Sequence, residues 1–332
     1  MPVLNEATHV RAAVDSLLQQ DYRGPFEVTL ALGPSIDGTT ELVEEMATVD
    51  PRIRVVPNEI GSTPAGLNAA IRASHYPVVI RVDAHSVLPP DYARIAVETL
   101  QRTGADNVGG IMDAQGVSPF EKAVARAYGT RVGLGGTPFH VGGREGKADT
   151  VYLGCFLRES ILNVGLFDEA IKRGQDWELN RRLREAGGTV WFTPDLKVLY
   201  RPRPSLSRLT RQMLSTGLWR GELARRFPAS NGIRYFVPPV MVVGATIGLL
   251  LGLAGLVQLV VGATPWLLLG FVVPGIYVVF VGAATIAVAR PDGFRSVLWF
   301  LVVLPCIHFS WGIGFVLGYL KLTSNITAHA GR

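Results

Sequence analysis

Residues 235 to 289 include no aspartate, glutamate, lysine or arginine, and neither do residues 296 to 320. No other feature restricts the fold of this chain as much. A helix crossing a bilayer needs roughly 20 mainly apolar residues, so the first run holds two spans and the second holds one. The pattern places them at residues 236–261, 265–289 and 296–320. Two adjacent stretches of this length exceed what a buried helix of a water-soluble core requires. The last third of the chain is read as bilayer-resident, and the protein as multi-pass.

Basic residues suggest the orientation. Between residues 196 and 236 lie nine Lys and Arg against Glu222 alone; nine minus one is +8, more than the +5 of the whole chain. Arg290 and Arg295 flank the gap before the third run, while residues 262–264 hold no charge. By the positive-inside rule the N-terminal part and the Arg290 linker face the cytoplasm at the inner (plasma) membrane, and the C-terminus exits on the far side. The basic stretch 201–235 is expected to lie on anionic lipid headgroups, so membrane lipids are the first partner implied. The expected organisation is a catalytic domain over 1–200, this interfacial segment, three spans over 236–320 and a short tail over 321–332. Cys155 and Cys306 are the only cysteines, which implies no disulfide framework. The start "MPVLNEATHV" lacks the apolar core of a signal peptide.

The first 200 residues alternate strand-like and helix-like runs. Strand patterns at 26–32, 53–57 and 76–82 are interleaved with helical spacing at 10–18, 39–47, 64–73 and 91–102. That rhythm predicts an α/β fold with a doubly wound, mostly parallel sheet, in which ligands sit at the carboxyl ends of strands. "MPVLNE" reads as the end of a first strand. Residues 129–146 carry seven glycines in eighteen positions and read as a flexible loop, a lid or acceptor-binding segment. A strand-like "TVYLGCFL", a helix closed by Gly187-Gly188 and a last strand "TVWFTP" complete the pass.

Several separated motifs form one pattern. They are Pro2-Val3-Leu4-Asn5-Glu6, Asp37-Gly38-Thr39, the segment "NEIGSTPAGLNAAI" beginning at Asn58, Asp83-Ala84-His85, Gly154, and Gln175-Asp176-Trp177-Glu178. In this order and spacing they resemble the family 2 glycosyltransferases, whose catalytic domain has the nucleotide-sugar-binding GT-A fold. The resemblance covers roughly residues 1–220. It extends to the membrane-attached, succinoglycan-type branch, which carries an Asp-Ala-His clamp, a strand like "DTVYLG" at 149–154 and trailing membrane helices.

The resemblance implies an inverting transfer of a hexose from a nucleotide sugar, a UDP-sugar by expectation, to a polyprenyl-linked glycan acceptor in polysaccharide or cell-envelope glycan synthesis. A departing pyrophosphate is stabilised by a divalent ion held on carboxylate oxygen. Asp83 is the anchor it implies. His85 adds a nitrogen ligand, which suits Mn²⁺ better than Mg²⁺, or a contact to phosphate. Asp176 is the general base on the opposite side of the anomeric carbon, with Glu178 as the alternative; Gln175 stands where the family has a glutamate. Pro2, Leu4, Glu6 and Asp37 are expected around the nucleotide base and ribose. Asn58 and Asn68 fall beside the diphosphate, with Arg81 facing a phosphate or Asp83. The remaining histidines, His308 among them, are assigned no chemistry. Gln212 and Trp219-Arg220 do not reproduce the order found in cellulose synthases, which argues against processive synthesis. Other readings are transfer to a simple lipid and an inactive membrane scaffold. No nucleic-acid partner is implied.

Overall fold

A computed structural model describes residues 1–288 and 293–323. In chain order its first elements are β1 (Pro2–Val3), α1 (Val10–Leu18), β2 (Val28–Leu32), α2 (Thr39–Val49), β3 (Ile53–Pro57), α3 (Thr63–Ala73), β4 (Val78–Ile80), α4 (Tyr92–Thr103) and β5 (Asn107–Ala114). Then come α5 (Pro119–Tyr128), α6 (Arg131–Leu134), α7 (Pro138–Val141), β6 (Gly146–Lys147), β7 (Tyr152–Leu157), α8 (Arg158–Asn163), α9 (Gln175–Glu185) and β8 (Val190–Tyr200). The last part holds α10 (Leu206–Arg226), α11 (Val237–Val260), α12 (Val272–Val288) and α13 (Phe294–Tyr319). The chain divides into two compact units. One comprises residues 1–113 and 137–200, the other 114–136 and 201–332.

In the first unit the alternation is realised. β1, β2 and β3 pair in parallel, with Pro2 opposite Ala31 and Val28 opposite Ile53. Helices end where the sequence gives them reason to. Ser62 caps α3 by accepting from the Ala65 amide, with Pro64 in the first turn. Gly104 closes α4 at φ +63°. Val10, Ala13, Val14, Leu30, Val43 and Val108 are fully buried in one core with Leu153 and Leu196. The strands form two sheets: β1-β2-β3 makes the first, and the second holds five strands in the order β4-β7-β5-β8-β6. β7 enters between β4 and β5 and runs antiparallel to both, and β6 pairs antiparallel with β8. The α/β character and the parallel opening triad stand; the antiparallel pairings belong to the second sheet.

The second unit is helical. Three stretches are long and apolar enough to cross a membrane: Ile233–Val260, Trp266–Val288 and Phe294–Tyr319. They fall within three residues of the spans read from charge alone. The Arg290 linker and the tail beyond residue 323 lie outside the described residues. Residues 114–136, drawn by the sequence into the catalytic domain, pack with these helices instead. Ser118 and Glu121 form a capping box at the start of α5, and the ring of Phe120 meets Trp299 edge-on at 5.2 Å.

The basic segment 201–235 has a commitment that charge counting does not reveal. Gly217 and Gly221 of α10 face Gly314 and Gly318 of α13. A Cβ at Gly217 would lie 2.1 Å from the Trp311 carbonyl oxygen, and one at Gly314 would lie 2.2 Å from that of Leu214. Each helix thus carries a Gly-x-x-x-Gly pair that lets two backbones touch, the device by which helices associate in a bilayer. One face of α10 is therefore given to protein, and only the rest is left for headgroups.

Candidate active site

β4 ends at Ile80 and passes the chain to Arg81, whose amide donates to the Gly154 carbonyl at 3.0 Å. The Arg81 side chain is 7% exposed. Its Nη2 donates to Asp83 Oδ1 at 3.1 Å and its Nη1 to Asp176 Oδ1. One guanidinium thus holds a carboxylate from the end of β4 and one from the first turn of α9. Gly174, at φ +78°, makes the turn that starts α9 and presents Asp176. Burial pushes the Asp176 carboxyl above its ordinary range, against the pull of Arg81, and the charge of Asp83 adds to the rise. Burial would lower the Arg81 pKa, but Asp176 and Asp83 outweigh it and hold the guanidinium charged.

Glu178 is a different kind of acid. It is buried and receives Arg182 Nε at 2.8 Å, Arg182 Nη2 at 2.7 Å and Arg181 Nη2 at 3.1 Å. Arg182 in turn donates to the Leu166 carbonyl at 2.6 Å. Glu178 is a structural clamp between α9 and the loop before it, which leaves Asp176 as the base candidate of the pair.

A second cluster joins His85 to the entry of α1. Glu6 places Oε1 3.3 Å from His85 Nδ1 and Oε2 3.4 Å from His9 Nδ1. His9 carries no role in the sequence reading, although its spacing of three from Glu6 is the signal that reveals it. Asp37 accepts from Thr39 Oγ1 at 2.5 Å, from the Thr39 amide at 3.2 Å and from the Ala7 amide at 3.2 Å. These bonds hold its carboxyl below the usual range and knit the loop after β2 to the loop after β1.

Pro2, Leu4 and Asn58 come together at glycines. A Cβ on Gly66 would lie 2.7 Å from Asn58 Nδ2 and 2.9 Å from Pro2 Cβ, and one on Gly33 would lie 3.0 Å from Leu4 Cδ1. Beside them a cleft of about 460 Å³ opens at the carboxyl ends of β2 and β3, lined by Leu32, Gly33, Pro34, Thr40, Glu44 and Asn58 among others. Asn58 Nδ2 donates to the Ser62 carbonyl at 3.1 Å, while its buried Oδ1 has no partner among the described residues. Asn68 is placed differently. Its amide is spent on the Phe167 backbone at 2.9 Å in both directions and on Glu169 Oε1 at 2.8 Å, so it tethers the loop before α9.

Among the described residues no three His, Cys, Asp or Glu side chains converge into a metal-binding group. Asp83 and His85 thus offer two ligands at most. That donor set fits a hard divalent ion which takes its remaining ligands from substrate phosphate and water, the usual way such ions are held in phosphoryl sites.

The profile of glycosyl transferase family 2 matches residues 1–162. The succinoglycan biosynthesis protein ExoA of Rhizobium meliloti (strain 1021) is 34% identical over 242 residues, covering 72% of this chain and 73% of that protein. The chain belongs to glycosyltransferase family 2. This family 2 enzyme is also 24% identical over 238 residues to the dolichyl N-acetyl-α-D-glucosaminyl phosphate 3-β-D-2,3-diacetamido-2,3-dideoxy-β-D-glucuronosyltransferase of Methanococcus voltae, covering 68% of this chain and 73% of that one. Among solved structures, the mannosyltransferase PcManGT from Pyrobaculum calidifontis in complex with GDP-Man and Mn²⁺ superposes with a TM-score of 0.59. The match covers 97% of this chain and 86% of that one at 18% identity, and it bears on the fold alone. The protein is thus a family 2 glycosyltransferase with a GT-A-type α/β domain followed, among the described residues, by three apolar helices.

Proposed function

We propose that the enzyme transfers a hexose, with inversion, from a UDP-sugar to a polyprenyl-linked saccharide at the cytoplasmic face of the inner membrane. The observation that carries this reading is the convergence of Asp83 and Asp176 on Arg81, which joins a strand-end carboxylate to a helix-start carboxylate at one point. Asp176 takes the proton of the acceptor hydroxyl as the new C–O bond forms at the anomeric carbon. The bond from that carbon to the diphosphate oxygen breaks on the opposite face, and the nucleoside diphosphate leaves with its electron pair. The raised pKa of Asp176 suits a base that must hold a proton in flight. Asp83, with His85 oriented by Glu6, would hold a divalent ion, Mn²⁺ or Mg²⁺, that neutralises charge on the leaving diphosphate. Arg81 holds both carboxylates in place and offers its own charge to phosphate.

Nucleotide recognition is assigned to Pro2, Leu4, Asn58 and the cleft beside them, where the orphaned Asn58 Oδ1 awaits a donor. The Asp37 turn fixes the loops that border this cleft. Glu6 acts on the nucleotide side through His85, and Asn68 through the loop it tethers. The Methanococcus relative is named as a transferase acting on a dolichyl-linked sugar phosphate, which supports a lipid-linked acceptor here. The excess of basic residues before the first span supports the cytoplasmic placement.

The deciding experiment incubates the full-length protein, reconstituted in lipid, with Mn²⁺ and a panel of UDP- and GDP-sugars. UDP release that rises on adding a lipid-linked oligosaccharide extract is the expected result. Release of GDP instead would overturn the donor, and no release with any nucleotide sugar and metal would favour an inactive scaffold.

A further inference from the structure

His308 lies in the middle of the third apolar helix, where a residue that can ionise is costly and tends to have a task. Its imidazole is engaged on both sides. Nε2 donates to the carbonyl of Val132 at 2.7 Å, and Nδ1 stands 3.1 Å from the Tyr277 hydroxyl on α12. A neutral ring with its proton on Nε2 satisfies both contacts, donating to the carbonyl and accepting from the hydroxyl. An apolar side chain would fill the same space without either bond, so packing alone gives no reason for histidine.

The bond ends on a segment that carries Gly129, Gly133, Gly135 and Gly136 and holds one short helix, α6, with the Gly133 amide donating to the Thr130 carbonyl at 3.2 Å. At Gly133 the turn is wound so tightly that a Cβ would lie 1.9 Å from the Ala127 carbonyl oxygen. Thr130 Oγ1 returns to that same carbonyl at 3.2 Å, and the Tyr128 hydroxyl donates to Gln212 of α10 at 3.4 Å. From Gly136 the chain leaves the helical unit and runs on, at Thr137, into the remainder of the glycine-rich stretch.

We infer that His308 is a positioning residue for the acceptor step, fixing from within the apolar helices the backbone from which the glycine-rich loop departs. The inference rests on the proposed transfer to a lipid-linked acceptor and on the acceptor-binding alternative among the expectations for the glycine-rich stretch. Tyr277 orients the ring, His308 holds the Val132 carbonyl, and the segment 130–136 is kept in one arrangement when a lipid-linked acceptor arrives. His308 acts through the loop and touches no reacting atom.

The test uses the full-length protein in nanodiscs of phosphatidylethanolamine and phosphatidylglycerol. Hydrogen exchange is followed for peptides covering 130–136 and 81–85. UDP release is measured with the sugar nucleotide selected by the donor screen, with and without lipid-linked oligosaccharide extract. In His308→Leu, protection over 130–136 is expected to fall about tenfold, as for loss of a bond to a buried carbonyl, with no change over 81–85. The acceptor KM rises several-fold while donor-only release and kcat hold. His308→Gln keeps an N–H donor of similar reach and restores most of both effects. Tyr277→Phe, which leaves the bond to Val132 in place, shows a smaller change in the same direction and serves where His308→Leu does not accumulate. Unchanged protection in both His308→Leu and Tyr277→Phe overturns the inference, as does lost protection with an unchanged acceptor KM. If the unmodified enzyme shows no acceptor-stimulated release, the acceptor reading itself fails, and the inference built on it falls with it, whatever the exchange data show.

Discussion

Arg81 and Asp176 are 95 positions apart in sequence and share a hydrogen bond through Nη1 and Oδ1. The same guanidinium reaches Asp83 through Nη2. The site is thus organised around a buried cation at the end of β4 that gathers one carboxylate from its own segment and one from α9, and the two carboxylates should respond differently to substitution.

Asp176→Asn is expected to lower transfer by about 10²- to 10⁴-fold, the range for loss of a general base. Donor binding, followed by UDP titration calorimetry, should stay within a few-fold. Because the folded-state pKa of Asp176 is raised, its charged form is disfavoured by folding. Its contribution to stability is full below the unfolded carboxyl pKa and falls as pH rises through the folded value. The parent should therefore lose thermal stability relative to the asparagine variant as pH rises through that range. In the parent, activity falls on the acid side at a pH above the ordinary carboxylate range, and Arg81→Gln should move that limb further up. An acid limb that Arg81→Gln leaves in place would remove the argument for Asp176 as the titrating base.

Glu178→Gln separates the two acids of α9. Removing one partner from a buried ion cluster costs about 3 kcal/mol, so a clear loss of thermal stability is expected, with kcat of the folded fraction within a few-fold. A collapse of kcat with unchanged stability would return Glu178 to the reaction.

His85→Ala should shift the Mn²⁺ concentration giving half-maximal activity upward by about 10- to 100-fold, the range for a metal ligand or its support. Unfolding temperature should barely change, since the side chain is 48% exposed. Asp83→Asn should lose activity at every Mn²⁺ concentration. An unaltered titration for His85→Ala would leave the metal on Asp83 and substrate alone.

The glycine seam predicts an asymmetry among membrane-helix substitutions. Gly217→Val and Gly314→Val each drive a side chain into a carbonyl near 2 Å from the ideal Cβ, and should part α10 from α13. Reduced yield and an earlier melting transition in detergent are expected. Gly275→Ala, where nothing lies within 4 Å, should behave as the parent. Equal behaviour of all three would mean that the seam does not form.

Much of this was legible in the sequence because charge and short-range spacing report it directly. Spans were readable from the absence of ions and the opening parallel strands from their apolar runs, while Asp83 and Asp176 were singled out by the family resemblance. What could not be read depends on pairing over long separations. The reversal of β7 needs a partner strand far earlier in the chain, as in the pairing of Cys155 with Val108, 47 positions before it. The roles of Glu178 and Asn68 hinge on which neighbours fold back upon them. The resemblance implied contacts to ligand for Asp37 and Asn68, whereas their hydrogen bonds run to the protein's own loops. His308 carried no local signal, since its partners are a backbone carbonyl 176 positions away and a hydroxyl 31 positions away.

The glycine-lined seam also decides where the protein can be cut. A boundary drawn just ahead of the first span, at about residue 235, looks natural from hydropathy. It would keep α10 and remove the helix against which Gly217 and Gly221 close. The freed face, with Leu209, Met213, Leu218 and Leu223 all buried in the intact chain, would then meet water. A shortened enzyme of that kind is expected to aggregate unless the cut is moved upstream of Leu206, so that α10 leaves together with the helix it packs on.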